Sequence, residues 1–166
     1  MLICGTEPIT PDLLARLPES VKIIACFTAG YDHVDLAAAK ARGIVVTHAP
    51  DALTDAVADI TLLLLLGAAR RAGEGEAIMR QAGWANIHLL FMTGSEITGK
   101  RLGILGMGRI GRAVAKRARA FGMEIHYHNR SRLDTALEDG AIWHDDAESL
   151  LANSDFLSLH CPSNEA

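Results

Sequence analysis

The sequence predicts an α/β chain in two lobes, each built on a parallel sheet. Three observations carry that expectation. Short Val/Ile-rich runs without a polar face alternate with helical segments, the pattern of strands covered by helices on both faces. The alternation breaks once, after residue 53, and resumes near residue 100. Where it resumes, a strand runs into a helix through a glycine-rich turn, "GILGMGRIG".

Each element has a local reason. "LICG" (Leu2 to Gly5) reads as a strand, "TPDLLARL" (Thr10 to Leu17) as a helix, and "VKIIACF" (Val21 to Phe27) as a strand buried on both sides. "VDLAAAKARG" follows as a helix closed by Gly43, and "IVVTHA" as a third strand. From Leu53 to about Arg71 one long helix is expected, with a second in "EGEAIMRQAGW". "MTGSEITGK" is rich in Gly and Thr and reads as a linker. After it come strand "RLGIL", helix "RIGRAVAKRARAFG", strand "MEIHYH", a turn near "LDTALEDG", strand "AIW", helix "DAESLLAN" and strand "DFLSLH". The domain boundary is expected at Thr93 to Gly99, with residues 1–92 on one side and 93–166 on the other. The second part is the βαβαβ half of a Rossmann dinucleotide-binding domain.

Composition narrows the classes. The 166 residues are 49% hydrophobic and 22% charged, with a formal net charge of −4. An excess of carboxylates argues against nucleic acid or an anionic membrane as partner. The most apolar run, Ile60 to Ala69, is shorter than the about twenty residues a bilayer span needs, so it is expected as a helix buried between two layers, or covered by a dimer partner where this segment leaves it bare. Cys4, Cys26 and Cys161 lie far apart with no C-x-x-C spacing, and read as buried thiols of a reducing compartment. The cytoplasm is the expected location, and no metal site is expected.

"GMGRIG" places Gly106, Gly108 and Gly111 in G-x-G-x-x-G spacing. The glycines serve a tight turn, close approach to a pyrophosphate and close helix–strand packing. The motif follows a strand and opens a helix whose N-terminal N–H groups and dipole favour phosphate. Arg109 and Ile110 begin that helix, and Arg109 is placed to reach the pyrophosphate. Arg109, Arg112, Lys116 and Arg119 form a basic stripe read as a solvated face, opposite Ile110, Val114, Ala118 and Phe121.

The second strand of this half ends at His128, where such folds place an Asp or Glu on the ribose 2′-hydroxyl. Here the chain continues Asn129, Arg130, Ser131, Arg132. Two guanidinium groups and a hydroxyl attract a 2′-phosphate that a carboxylate would repel. NADP(H) is therefore the expected cofactor, with NAD(H) possible. The alternative is that the arginines stack on the adenine or face solvent.

"GKRLGILGMGRIGRAVAKRARAFGMEIHYHNRSR", with "TAGYDHVDL" and "APDALTDAVADITLLLLL" before it and "SDFLSLHCP" after it, resembles the D-isomer-specific 2-hydroxyacid dehydrogenases, nearest the glyoxylate/hydroxypyruvate reductase branch. The resemblance implies a partial flavodoxin-like substrate domain, a helix joining the domains over about 53–71, and a small 2-oxo or 2-hydroxy acid as substrate. It also implies a homodimer. It carries the family's carboxylate-holding loop to Ala29 and Gly30 in "TAGYD". There Gly30 is expected to offer its N–H at a backbone angle other residues avoid. It carries the strand end beside the cofactor's adenosine to His160, Cys161 and Pro162.

Departures accompany the likeness. The family's catalytic Arg, Glu and His follow "HCP", so this segment is expected to hold no catalytic residue and to be inactive alone. The first strands of the substrate domain are expected to lie before Met1. Ile87 and Leu89 stand where a Trp–Pro pair is common in the branch. His33, His48, His88, His126, His128 and His144 show no paired carboxylate at a telling spacing, and each reads as structural. His160 can approach the cofactor but does not match the acid–base histidine. Two other functions stay open: an NAD-dependent dehydrogenase of another specificity, and a non-enzymatic nucleotide-sensing corepressor on the same scaffold.

Overall fold

Thr10 accepts a hydrogen bond from the Leu13 N–H at 3.3 Å, and Pro11 holds the first helical position, so α1 (Pro11–Arg16) has its start written locally. Asp35 caps α2 (Leu36–Ala41) in the same way, accepting from Ala38 N–H at 2.8 Å. Between and around these helices run β1 (Leu2–Ile3), β2 (Ile23–Cys26) and β3 (Val45–Thr47), a parallel sheet in the order β1-β2-β3. Leu14, Ile24, Val34, Ala39 and Ile44 make its core. The Arg42 guanidinium donates to the Leu14 and Leu17 carbonyls at the end of α1, which ties the two helices together. These are features of a computed structural model, which describes residues 2–3, 5–81, 83, 88 and 90–161.

The rest is α3 (Thr54–Ala69), α4 (Ala72–Arg80), β4 (Arg101–Leu105), α5 (Arg109–Ala120), β5 (Glu124–His128), α6 (Thr135–Glu138), β6 (Ile142–Trp143), α7 (Ala147–Ala152) and β7 (Phe156–Leu159). The four strands are all parallel, in the order β6-β5-β4-β7. The chain starts in the middle, winds out through β5 and β6, then returns to the other side of β4. That reversal puts a crevice at the carboxyl ends of β4 and β7. At the opposite end of the same pair, Asp155 accepts from the Arg101 main-chain N–H at 2.8 Å and from its guanidinium at 3.0 and 3.1 Å. These bonds hold the Asp155 carboxyl far below the usual carboxylate range.

By packing, the chain divides into Met1–Thr54 and Asp55–Ala166. Ala58, Leu62 and Ala69 of α3 lie in the core formed by Leu102, Ile104, Val114 and Tyr127, and Arg117 of α5 pairs with Asp55 and Asp59 at 2.9 and 2.6 Å. The helix expected with the first lobe thus packs with the second sheet. The Gly/Thr-rich stretch before β4 is fastened there too: Ser95 N–H donates to the Ala69 carbonyl at 2.7 Å, and Ile97 is buried.

Three expectations need correction. The run Ile60 to Ala69 is not buried all round: Leu62 and Ala69 are, while Leu63 and Leu64 are 63% and 66% exposed, because this chain covers one face of α3. Phe121 is exposed, since the apolar face of α5 closes on Gly111, Val114, Ala115 and Ala118. Cys26 is buried but Cys161 is exposed, as it lies just past the end of β7; Cys4 lies outside the described residues.

Adjacent leucines on α7 test the core assignment. Leu150 is fully buried and Leu151 is 53% exposed. Leu150→Ala is expected to cost about 2–5 kcal/mol and Leu151→Ala no more than about 0.5 kcal/mol, measured by urea unfolding. Equal costs would mean the packing face of α7 is assigned incorrectly.

Candidate cofactor-binding site

β4 delivers the chain to the crevice with Leu102 and Ile104 fully buried, so the turn after it has little freedom to shift. Gly106 sits there at φ +95°, a conformation that side chains with a Cβ rarely adopt. A Cβ on Gly106 would lie 2.6 Å from the Cys161 nitrogen, and one on Gly111 would lie 2.7 Å from the Gly106 oxygen. Gly108 differs: a Cβ there would meet nothing within 4 Å. The three glycines therefore divide their tasks. Gly106 and Gly111 let strand, turn and helix close on each other, and Gly108 leaves open space at the start of α5.

That space suits a pyrophosphate. Gly108 is the N-cap of α5, and the N–H groups of Ile110 and Gly111 lie in the first helical turn, the positive end of its dipole. Arg109 is exposed at the first helical position. The residues present thus fit a dinucleotide's phosphates.

The end of β5 closes one side of the turn. Gly106 N–H donates to the His128 carbonyl at 3.0 Å, and Met107 N–H donates to Asn129 Oδ1 at 2.6 Å. The contact of Asn129 with the turn was not legible in the sequence, because nothing local tells that a side chain at 129 reaches residue 107. Arg130 and Ser131 are exposed and make no side-chain hydrogen bond or ion pair with the described residues.

Arg132 has a different position from the one expected. Its Nε and Nη2 donate to Glu138 Oε1 and Oε2 at 2.7 and 3.1 Å, and its guanidinium stands 5.5 Å from the Trp143 ring centre. Glu138 is buried and also accepts from the Tyr127 hydroxyl at 2.6 Å. Arg132 first, then Tyr127, holds the Glu138 carboxyl below its usual range; burial first, then Glu138, pushes the Tyr127 hydroxyl up. A buried carboxylate needs such partners, so Arg130 and Arg132 are not equivalent.

Two of the histidines read as structural, His126 and His144, form a connected chain with Glu124 and Ser149. Glu124 and His126 are two apart on β5 and share a face, with His126 Nε2 3.2 Å from Glu124 Oε1. His126 Nδ1 meets His144 Nε2 at 2.8 Å, and His144 Nδ1 meets Ser149 Oγ at 2.8 Å. His126 therefore does have a paired carboxylate, and period-two spacing was the signal for it. Burial, then His126, lowers the His144 pKa. His160 lies within 2.8 Å of Ser158 Oγ, and burial lowers its pKa. Cys161 stands beside Gly106, while Pro162, Ile87 and Leu89 lie outside the described residues.

In the first unit, Ala29 and Gly30 follow β2. The Ala29 carbonyl accepts from His48 Nδ1 at 2.8 Å and the Gly30 carbonyl from the Thr28 hydroxyl at 2.6 Å. The two N–H groups donate to no protein group among the described residues. Gly30 has no left-handed φ, contrary to expectation. A Cβ there would stand 3.2 Å from Asp32 Oδ2, the end of an exposed side chain. Beside it lies a hollow of about 450 Å³ lined by Thr6, Pro8, Thr28, Gly30, Asp32 and His33.

This class of site, a glycine turn at the switch point of a parallel sheet, has a family match. Residues 62–166 match the model of the D-isomer specific 2-hydroxyacid dehydrogenase NAD-binding domain. The chain belongs to that family. It is 45% identical to a glycerate dehydrogenase of Hyphomicrobium methylovorum, over 98% of this chain and 51% of that protein. It is also 45% identical to a glyoxylate reductase of Thermococcus litoralis, over 95% of this chain and 48% of that one. A crystal structure of a putative D-isomer specific 2-hydroxyacid dehydrogenase from a Polaromonas species superposes with a TM-score of 0.89 at 48% identity, covering 98% of this chain and 51% of the other. The chain spans about half the length of the relatives it matches.

The His144 environment makes stability depend on pH. Its folded pKa lies below the unfolded value of about 6.5, so its contribution is complete above that value and is lost as pH falls through the folded one. The melting temperature is expected to drop between pH 7.5 and 5, and His144→Gln to flatten that drop. Glu138 and Asp155, whose pKa values are lowered, titrate below this window, while His160, lowered by burial as well, leaves part of the slope in the variant. An unchanged slope in His144→Gln would remove the assignment.

Proposed function

We propose that the chain is part of an NADPH-preferring dehydrogenase that reduces a small 2-oxo acid, such as glyoxylate or hydroxypyruvate, to the D-2-hydroxy acid. The observation that carries the cofactor preference is the end of β5, where Asn129 and the exposed Arg130 stand in place of a carboxylate. Arg130, with the Ser131 hydroxyl, provides a charged donor for a 2′-phosphate, and no carboxylate at 129 opposes it. The glyoxylate reductase and glycerate dehydrogenase names of the relatives support the substrate class.

In this reading Gly106, Gly108, Arg109, Ile110 and Gly111 receive the pyrophosphate, and Cys161 and Pro162 border the adenosine side. The N–H groups of Ala29 and Gly30 hold the substrate carboxylate. The bound reduced nicotinamide supplies a hydride to the substrate carbonyl carbon. The polarising Arg and the Glu-supported acid–base His belong to the part of the enzyme outside this segment. The enzyme works in the cytoplasm as a homodimer, which gives the exposed Ile60, Leu63 and Leu64 of α3 an apolar cover.

The test uses the full-length enzyme at fixed salt, since a partly exposed phosphate site is screened. NADPH is expected to bind at least about tenfold more tightly than NADH, the worth of one charge-assisted contact. Arg130→Ser should abolish the difference and leave NADH binding unchanged. Arg132→Ser should instead lower the melting temperature, because it leaves Glu138 buried without its cation. Equal wild-type dissociation constants for the two nucleotides would overturn the cofactor assignment. On the substrate side, Gly30→Val should raise KM for glyoxylate more than Ala29→Ser does; negligible effects of both would remove that loop from the site.

A further inference from the structure

The two N–H groups at the start of the glycine turn are both held by the end of β5, in different ways. Gly106 N–H donates to a main-chain carbonyl, that of His128, which a residue of any type would supply. Met107 N–H donates to a side chain, Asn129 Oδ1, at 2.6 Å. Met107 is itself buried, so its N–H has poor access to water as a substitute. The residue at 129 therefore decides whether the second donor is satisfied.

We propose that Asn129 is a positioning residue that holds the pyrophosphate turn for NADH and NADPH alike, while charge at 129 and 130 separates the two nucleotides. The amide does this without penalty to a 2′-phosphate: its oxygen is committed to Met107, and its other end is a neutral donor. An aspartate accepts the same Met107 bond but brings a negative charge to the position. Residue 129 thus carries two separable properties, an acceptor for the turn and a charge for selectivity. This inference rests on the dinucleotide reading of the site.

The experiment measures dissociation constants of the full-length enzyme for NADPH and NADH by nucleotide fluorescence, with melting temperatures alongside. Asn129→Ala is expected to weaken both nucleotides by a common factor of about five to ten. Asn129→Asp should restore NADH to at least the wild-type affinity and leave NADPH weak. Hydrogen exchange over residues 106–111 should quicken in Asn129→Ala and not in Asn129→Asp. If Asn129→Ala melts below the assay temperature, Asn129→Ser, one bond shorter than the native side chain, takes its place. Unchanged affinities in the alanine or serine variant, loss confined to NADPH, or failure of Asn129→Asp to restore NADH would each overturn the proposal. Equal wild-type affinities for the two nucleotides would instead strike the NADPH assignment and leave the common-factor result standing.

Discussion

The dinucleotide-binding unit depends on the close approach at Gly106. Its N–H is bonded to the end of β5, its missing Cβ leaves room for the backbone of His160 and Cys161 beyond β7, and its carbonyl lies against Gly111 in α5. Two elements distant in sequence and the helix that follows converge on one residue. A side chain there would collide with main chain on one side and demand an unfavourable φ, so strand, turn and helix would have to separate. The open space at Gly108 exists because the other two glycines allow everything around it to close.

Electrostatics then sorts groups that look alike in the sequence. Arg130 and Arg132 differ by two positions and both are exposed, yet only Arg132 is tied to a buried carboxylate. The decisive fact is the burial of Glu138, since an unpaired carboxylate in the interior costs several kcal/mol and recruits the nearest guanidinium and the Tyr127 hydroxyl. Arg101 with Asp155, and Arg117 with Asp55 and Asp59, are structural pairs whose carboxylates come from parts of the chain well away from the glycine turn in sequence. Of the arginines around β5, Arg130 is the one with no carboxylate partner among the described residues.

In the first unit, side chains fasten the main chain that follows β2. The Ala29 carbonyl is engaged by His48 and the Gly30 carbonyl by Thr28, and the first of these bonds orients the peptide that carries the Gly30 N–H. The N–H groups of Ala29 and Gly30 have no protein acceptor among the described residues. The Asp32 carboxylate nearby disfavours an anion, so in the proposed reading a substrate carboxylate is held by directed N–H bonds and not by net charge.

The sequence by itself determined the alternation of strands and helices, the parallel sheets and the glycine turn, because these follow from short-range periods and from the backbone needs of particular residues. Thr10 and Asp35 start their helices where their neighbours require a cap, and "RLGILGMGRIG" admits little besides a strand, a turn and a helix. Only the tertiary structure decided which face of α3 is covered, that the stretch before β4 is fastened to the second unit, and how the polar side chains pair. Arg132 meets Glu138, and Asn129 meets Met107 across 22 positions, through the return of the chain over the sheet. Such pairings depend on where burial leaves a charge or an N–H without water, and a local sequence pattern does not encode that.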